Sequence, residues 1–287
     1  MLGEAFYNVF KNEYQLKCSD KDVNEPWLSF LDFRDFKKYE EDVVKFNPDF
    51  LFHLGAYTSL EYCENNIDDT YMTNTLSVEN ATGIANRLNI PLLYISTAGI
   101  FDGQKERYDD WDTPNPLGHY ARSKYLGEVF VKENANKYFV CRAGWMMGGG
   151  PKKDKKFIQK IMLQIKEGKT ELNIVNDKQG TPTYTHHFAK TVKELIKTDF
   201  YGVYNLVCKG LTSRLEVATE LVLILGREKT IRINPVSSDF FSAEYSAPRP
   251  DSERLINKKL ELRGIRSMSN WKEALSEYLT TYYKNYL

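Results

Sequence analysis

"IPLLYISTAGIFDG" (90–103), with "NPLGHYARSKYLGE" (115–128) close behind it, decides how this chain is read. The segment from Ile90 to Thr97 is the most hydrophobic run of strand length, and it ends on a Ser-Thr pair. An apolar run with so little polar alternation fits a strand covered on both faces. Beyond it, Tyr120 and Lys124 stand four residues apart in a helical pattern, so both side chains share one helix face. A lysine ammonium near a phenol favours the phenolate and lowers the tyrosine pKa from its ordinary ~10. A tyrosine tuned this way donates a proton to a carbonyl oxygen as hydride arrives at carbon. A hydroxyl at the strand end, Thr97, can hold that oxygen in place. The spacing alone carries little, because the chain has 19 tyrosines and Tyr7 and Lys11 repeat it. What sets Tyr120 and Lys124 apart is the preceding Ser-Thr strand end, the Asn-Pro turn and the Gly-Glu continuation of the helix.

On both sides of this stretch, helical and strand patterns alternate. "EAFYNVFKN" reads as a helix, "YQLKCS" as a strand and "FRDFKKYEEDVVKFN" as a helix. "DFLFHLGA" is a strand, "DDTYMTNTLSVENATGIANRLN" one long helix and "KYFVCRAG" another strand. Such alternation predicts an α/β fold, a doubly wound Rossmann-type parallel sheet with helices on both faces. Past about residue 150 the units are smaller and interleaved with Pro and Gly. The division expected is a dinucleotide-binding region over 1–150 and a smaller mixed α/β substrate-binding region over 151–287, packed on the first with the chain crossing between them.

The 287 residues carry 39 basic and 39 acidic side chains, and this balance gives no reason to expect a nucleic-acid or membrane partner. No apolar run reaches the ~20 residues of a membrane span, and no signal peptide is visible. Cys18, Cys63, Cys141 and Cys208 lack any CxxC spacing, which fits reduced thiols in a cytoplasmic protein. The histidines lack metal-ligand spacing too, and no metal is expected. The aromatic end "TTYYKNYL" reads as a helix closing its own domain, with packing on a second copy in a homodimer as the other reading.

Taken together these residues resemble the extended short-chain dehydrogenase/reductases, and among them the dTDP-4-dehydrorhamnose reductase family, over almost the whole chain. "LGAYTSLEYCE" (54–64) resembles the family's cofactor-contacting loop, which implies cofactor contacts at Ala56, Tyr57 and Thr58. Asn74 matches an asparagine on the next helix. "SFLDFRD" (29–35) resembles the adenine-side pair, Asp32 and Phe33. "CRAGWMMGGG" (141–150) resembles a segment that places Trp145 on the sugar-nucleotide side. "NDKQGTPT" (176–183) and "APRP" (247–250) resemble substrate-region signatures, which implies substrate contacts at Gln179, Thr183 and Arg249, beside Thr97 and Ala98. The resemblance also implies that Tyr120 and Lys124 touch the cofactor, NADPH or NADH. Asp20, near the end of the second strand, would hold ribose hydroxyls and favour NAD, whereas Lys17 and Lys21 could meet a 2′-phosphate. Family members carry a first strand and a G-x-x-G-x-x-G turn ahead of the first helix. Gly3 aligns with the third glycine, so about ten residues are expected to be missing ahead of it.

The chain departs from the family in two places. Asp-Tyr usually follows the threonine, and here Ala98-Gly99 does. Asp-Gln usually precedes Gly-x-Pro-Thr, and here Asp177-Lys178 does, with Gln179 displaced by one. Three activities stay open on this reading: reduction of the C4 ketone of a nucleotide-linked 4-keto-6-deoxy sugar, epimerisation or reduction of another nucleotide sugar, and non-enzymatic nucleotide sensing as a regulatory subunit.

Overall fold

A computed structural model describes residues 1–265 and 268–287. The first half runs α1 (Leu2–Phe10), β1 (Cys18–Asp20), β2 (Leu28–Phe30), α2 (Phe36–Phe46), β3 (Leu51–His53), α3 (Leu60–Asn65), α4 (Ile67–Tyr71), α5 (Ser77–Leu88), β4 (Leu92–Thr97), α6 (His119–Asn134) and β5 (Tyr138–Ala143). The second half adds β6 (Trp145–Met147), α7 (Gly150–Lys153), α8 (Phe157–Lys166), β7 (Glu171–Val175), β8 (Gln179–Gly180), β9 (Pro182–Tyr184), α9 (Thr185–Leu195) and β10 (Gly202–Asn205). It closes with β11 (Thr212–Ser213), α10 (Arg214–Ile224), β12 (Arg232–Val236), β13 (Ser252–Glu253), α11 (Lys258–Leu262) and α12 (Trp271–Tyr282).

The main sheet is parallel, in the order β10-β5-β4-β3. A second parallel ladder, β1 with β2, stands apart from it. Among the described residues no strand joins the two, and the break falls where a doubly wound sheet of order 3-2-1-4-5-6 has its central strand. The expected 150/151 division meets one topological fact: β10, from beyond residue 200, is an edge strand of the main sheet.

Alternate residues of β4 and β5 enter opposite layers, as the pleat requires. Leu93, Ile95, Phe139 and Cys141 join a core with α1, α8, α9 and α12. Leu92, Tyr94 and Val140 join another with α2, α5 and Val131 of α6. Each such side chain, removed from water, contributes roughly 1.5–3 kcal/mol. The C-terminal tyrosines belong to the same chain's core: Tyr278 and Tyr283 are buried and Tyr282 and Tyr286 pack against them.

Local signals set the helix ends. The Asp35 side chain accepts from the Lys38 amide to start α2, and Asn47 ends it in the left-handed region with φ 52°. Ser213 and Glu216 cap α10, with the Glu216 amide donating to Ser213 Oγ at 3.1 Å. The long helix expected around residue 75 is not uniform. Met72–Leu76 form a π-helical turn between α4 and α5, which the hydrophobic periodicity of the segment does not betray. Among the described residues, no helix is long and apolar enough to cross a membrane.

Candidate active site

Thr97 is the last residue of β4, and the chain turns at once through Ala98–Ile100. Its Oγ1 accepts from the Gly99 amide at 3.2 Å. Helix α6 packs on β4 with Tyr120 and Lys124 facing this strand end. The close approach depends on Gly127, where a β-carbon would lie 2.9 Å from the Tyr94 hydroxyl and 3.0 Å from the Asn74 carbonyl. Tyr94 donates to the Lys124 carbonyl at 2.9 Å, and its ring lies 4.2 Å from Lys124 Nζ. The sequence therefore brings Thr97, Tyr120 and Lys124 together as expected.

Their electrostatics differ from the expectation. Tyr120 is pushed up to about 12, not lowered. Removal from water dominates, the hydrogen bond with Thr97 opposes it, and the Glu253 carboxylate adds to the rise. Lys124 is the perturbed partner: burial pulls it down to about 7, with Glu128 opposing. Glu128 is itself committed to Arg142, whose Nε donates to its two oxygens at 3.2 and 3.1 Å, and both side chains are almost fully buried. Lys124 is 4% exposed. Its ammonium meets a ring face rather than a carboxylate, and among the described residues no protein acceptor takes a hydrogen bond from it. A buried lysine with unused donors beside a phenol and a threonine fits the ribose diol of a nicotinamide cofactor.

The rest of the expected cofactor set is dispersed. Gly3 lies inside the first turn of α1, not in a turn ahead of it, and nothing approaches the place of its missing side chain. Asp20 is exposed at the end of β1 and accepts from the Asp22 amide. Asp32 is bound by Arg34, whose Nε donates to it at 2.9 Å and whose Nη1 reaches Asp69 at 2.9 Å and the Tyr57 hydroxyl at 3.2 Å. Phe33 lies edge-on to His53, and Gly55 leaves the room for its ring. Ala56, Tyr57 and Thr58 form the loop leading to α3. Asn74 is a correction. It is fully buried in the π-helical turn, with Oδ1 accepting from the Tyr57 amide at 2.8 Å and Nδ2 donating to the Tyr57 carbonyl and Ser123 Oγ. Both ends of its amide are used within the protein, so it ties the loop to α6 and does not face a ligand.

Among expected substrate residues, Ala98 and Thr183 are corrections. Ala98 is 1% exposed and its methyl belongs to the core with Ile100 and Phe101. Thr183 is wholly buried and accepts from the Gly144 amide at 3.0 Å, which fixes the backbone just before Trp145. Gln179 lies in β8, where its backbone N–H donates to the Asp251 carbonyl. Arg249 pairs with Glu61 of α3 and donates to the Ala247 carbonyl at 2.8 Å. Trp145 is clamped at the site. Gly180 leaves space for its ring, the Arg214 guanidinium lies 3.7 Å from the ring centre, and Nε1 donates to Glu253 Oε2 at 2.7 Å. Glu253, Arg214 and Arg34 were not legible, because nothing in their neighbouring sequence shows what they meet.

A parallel sheet layered by helices, with a threonine at a strand end and a tyrosine and lysine one helical turn apart beside it, defines an extended short-chain dehydrogenase/reductase. The chain belongs to the RmlD substrate binding domain family, whose profile matches residues 1–284. The chain is similar to the spore coat polysaccharide biosynthesis protein SpsK of Bacillus subtilis, 29% identical over 92% of this chain and 90% of that one. It is also similar to two solved dTDP-4-dehydrorhamnose reductases. The one from Yersinia enterocolitica has a TM-score of 0.88 and 30% identity, covering 98% of this chain and 96% of the other. The one from Bacillus anthracis, in complex with NADP, has a TM-score of 0.87 and 29% identity, covering 98% and 95%.

Proposed function

We propose that this protein reduces the C4 ketone of a nucleotide-linked 4-keto-6-deoxy sugar. Membership of the family makes the chain an NAD(P)-dependent oxidoreductase acting on nucleotide sugars. The finer assignment is supported by one observation above all, the convergence of Thr97, Tyr120 and Lys124 at the end of β4. NADPH or NADH supplies the hydride when bound. Thr97 and Tyr120 orient the ketone oxygen through their hydroxyls. With a pKa of about 12, Tyr120 keeps its proton at neutral pH and still gives it up readily to the far more basic alkoxide of the product. Lys124 holds the ribose, and below about pH 7 its charge also steadies the phenolate left behind.

The test is oxidation of NADPH and NADH, followed by absorbance, with dTDP-4-dehydrorhamnose as substrate. Turnover that consumes cofactor in proportion to sugar is expected. Conversion of a nucleotide sugar without net cofactor consumption would instead identify an epimerase, and cofactor binding without any conversion a sensing subunit.

A further inference from the structure

The loop after Thr97 offers the site no polar side chain, since Ala98 is turned inward and Gly99 has none. A glutamate from far along the chain occupies that place. A β-carbon at Gly99 would stand 3.3 Å from Glu253 Oε1, 3.6 Å from Thr97 Oγ1 and 3.9 Å from Tyr120 Cε1. The carboxylate thus shares one small space with the two groups that face the ketone. It is held there from two directions. β13 pairs with β8, setting Glu253 opposite Gly180, and Oε2 accepts from Trp145 Nε1, whose own ring is fixed between Gly180 and Arg214. Oε1 receives no hydrogen bond from the protein among the described residues. An ionised carboxylate only accepts, so a free carboxylate oxygen here welcomes a donor and repels a carbonyl or phosphate oxygen.

We propose that Glu253 is a specificity-determining residue, its Oε1 accepting a hydrogen bond from a donor on the sugar ring, a hydroxyl or an ammonium group, next to the carbonyl held by Thr97 and Tyr120. The placement of a sugar in this space rests on the reductase reading. The recognition is a matter of selection: a site built around a charged acceptor discriminates strongly against an analogue that lacks the donor, because the carboxylate is then left unpaired. Gly99 is part of the same device, since any side chain there would crowd Oε1.

Calorimetric titration of the full chain with dTDP, dTDP-L-rhamnose and a dTDP-sugar bearing an amino group in place of a ring hydroxyl tests this. Glu253→Gln keeps an acceptor for Trp145 but loses the charge. Glu253→Asp keeps the charge but withdraws it. Both variants should bind dTDP within twofold of the wild type and lose at least tenfold in affinity for one or both sugars. Loss for dTDP-L-rhamnose assigns a hydroxyl, and loss for the amino sugar alone assigns an ammonium. In turnover, the KM for the nucleotide sugar should rise, with the KM for NADPH within threefold. Sugar affinities that change no more than that of dTDP overturn the proposal, as does a fall in kcat at unchanged KM. Wild-type protein that binds neither sugar more tightly than dTDP overturns it too. A wild type that shows the selective binding but oxidises no NADPH with dTDP-4-dehydrorhamnose defeats the reductase reading alone and leaves Glu253 its role.

Discussion

Tyr120 and Lys124 show where a sequence speaks and where it stops. Their spacing placed them on one face, and the strand end before them placed Thr97 opposite. The direction of their pKa shifts was not legible, because desolvation depends on what the rest of the chain packs around them. The phenol at about 12 and the ammonium at about 7 make a clear expectation for Tyr120→Phe. Turnover should fall by roughly 10²-fold or more while cofactor affinity, measured by fluorescence titration, stays within threefold. A second residue gives a pH signature. Buried His53 is pulled down to about 3 by burial and by Lys124, and it lies between the Tyr39 hydroxyl at 3.2 Å and Ser77 Oγ at 3.1 Å. The unfolded chain protonates this ring near pH 6.5, before the folded protein does. Its contribution to stability is therefore complete above about 6.5 and is lost as pH falls toward 3. His53→Gln should flatten the fall in thermal midpoint between pH 6.5 and 4.

The helices and buried strands were legible because period and length mark them, and α1, α2, α6 and β4 lie close to where the pattern set them. The contacts between elements were not, since they depend on residues that show nothing locally. Gly127 looks like a weak point in α6, and Gly→Ala in an exposed helix stabilises by about 1 kcal/mol. Here the added methyl meets the Tyr94 hydroxyl and the Asn74 carbonyl at about hydrogen-bonding distance. Gly127→Ala should lower the thermal midpoint and raise the KM for NADPH together, as α6 is lifted from β4. Gly180 is similar in β8: the Trp145 ring would lie 2.2 Å from its new β-carbon. Gly180→Ala should spare cofactor binding and weaken the nucleotide sugar, a split that steady-state kinetics will read.

At the scale of the molecule, the α/β layering was foreseeable and the ion pairs that tie its elements together were not. Glu128 and Arg142 sit 14 residues apart in sequence and at 0% and 3% exposure in space. Removing one partner strands a buried charge at a cost of about 3–5 kcal/mol. Glu128→Ala should show that loss in urea denaturation, and Arg142→Met added to it should recover part. The partly exposed salt bridge of Arg249 with Glu61 ties the substrate-side loop to α3 across 188 positions of sequence.

The π-helical turn at Met72–Leu76 carries a consequence of another kind. Such a turn holds one residue more than regular helix allows. Removing one of these residues would let regular α-helical hydrogen bonding close across the cut with the flanking helices kept nearly in phase, yet it would change which side chains this turn presents. Asn74 would swing away from Tyr57 and Ser123, and the loop of residues 54–59 would lose its tie to the helix bearing Tyr120. The constraint on this segment is thus on its count of residues as much as on their kind, so a shortened chain can be a better helix and a worse protein.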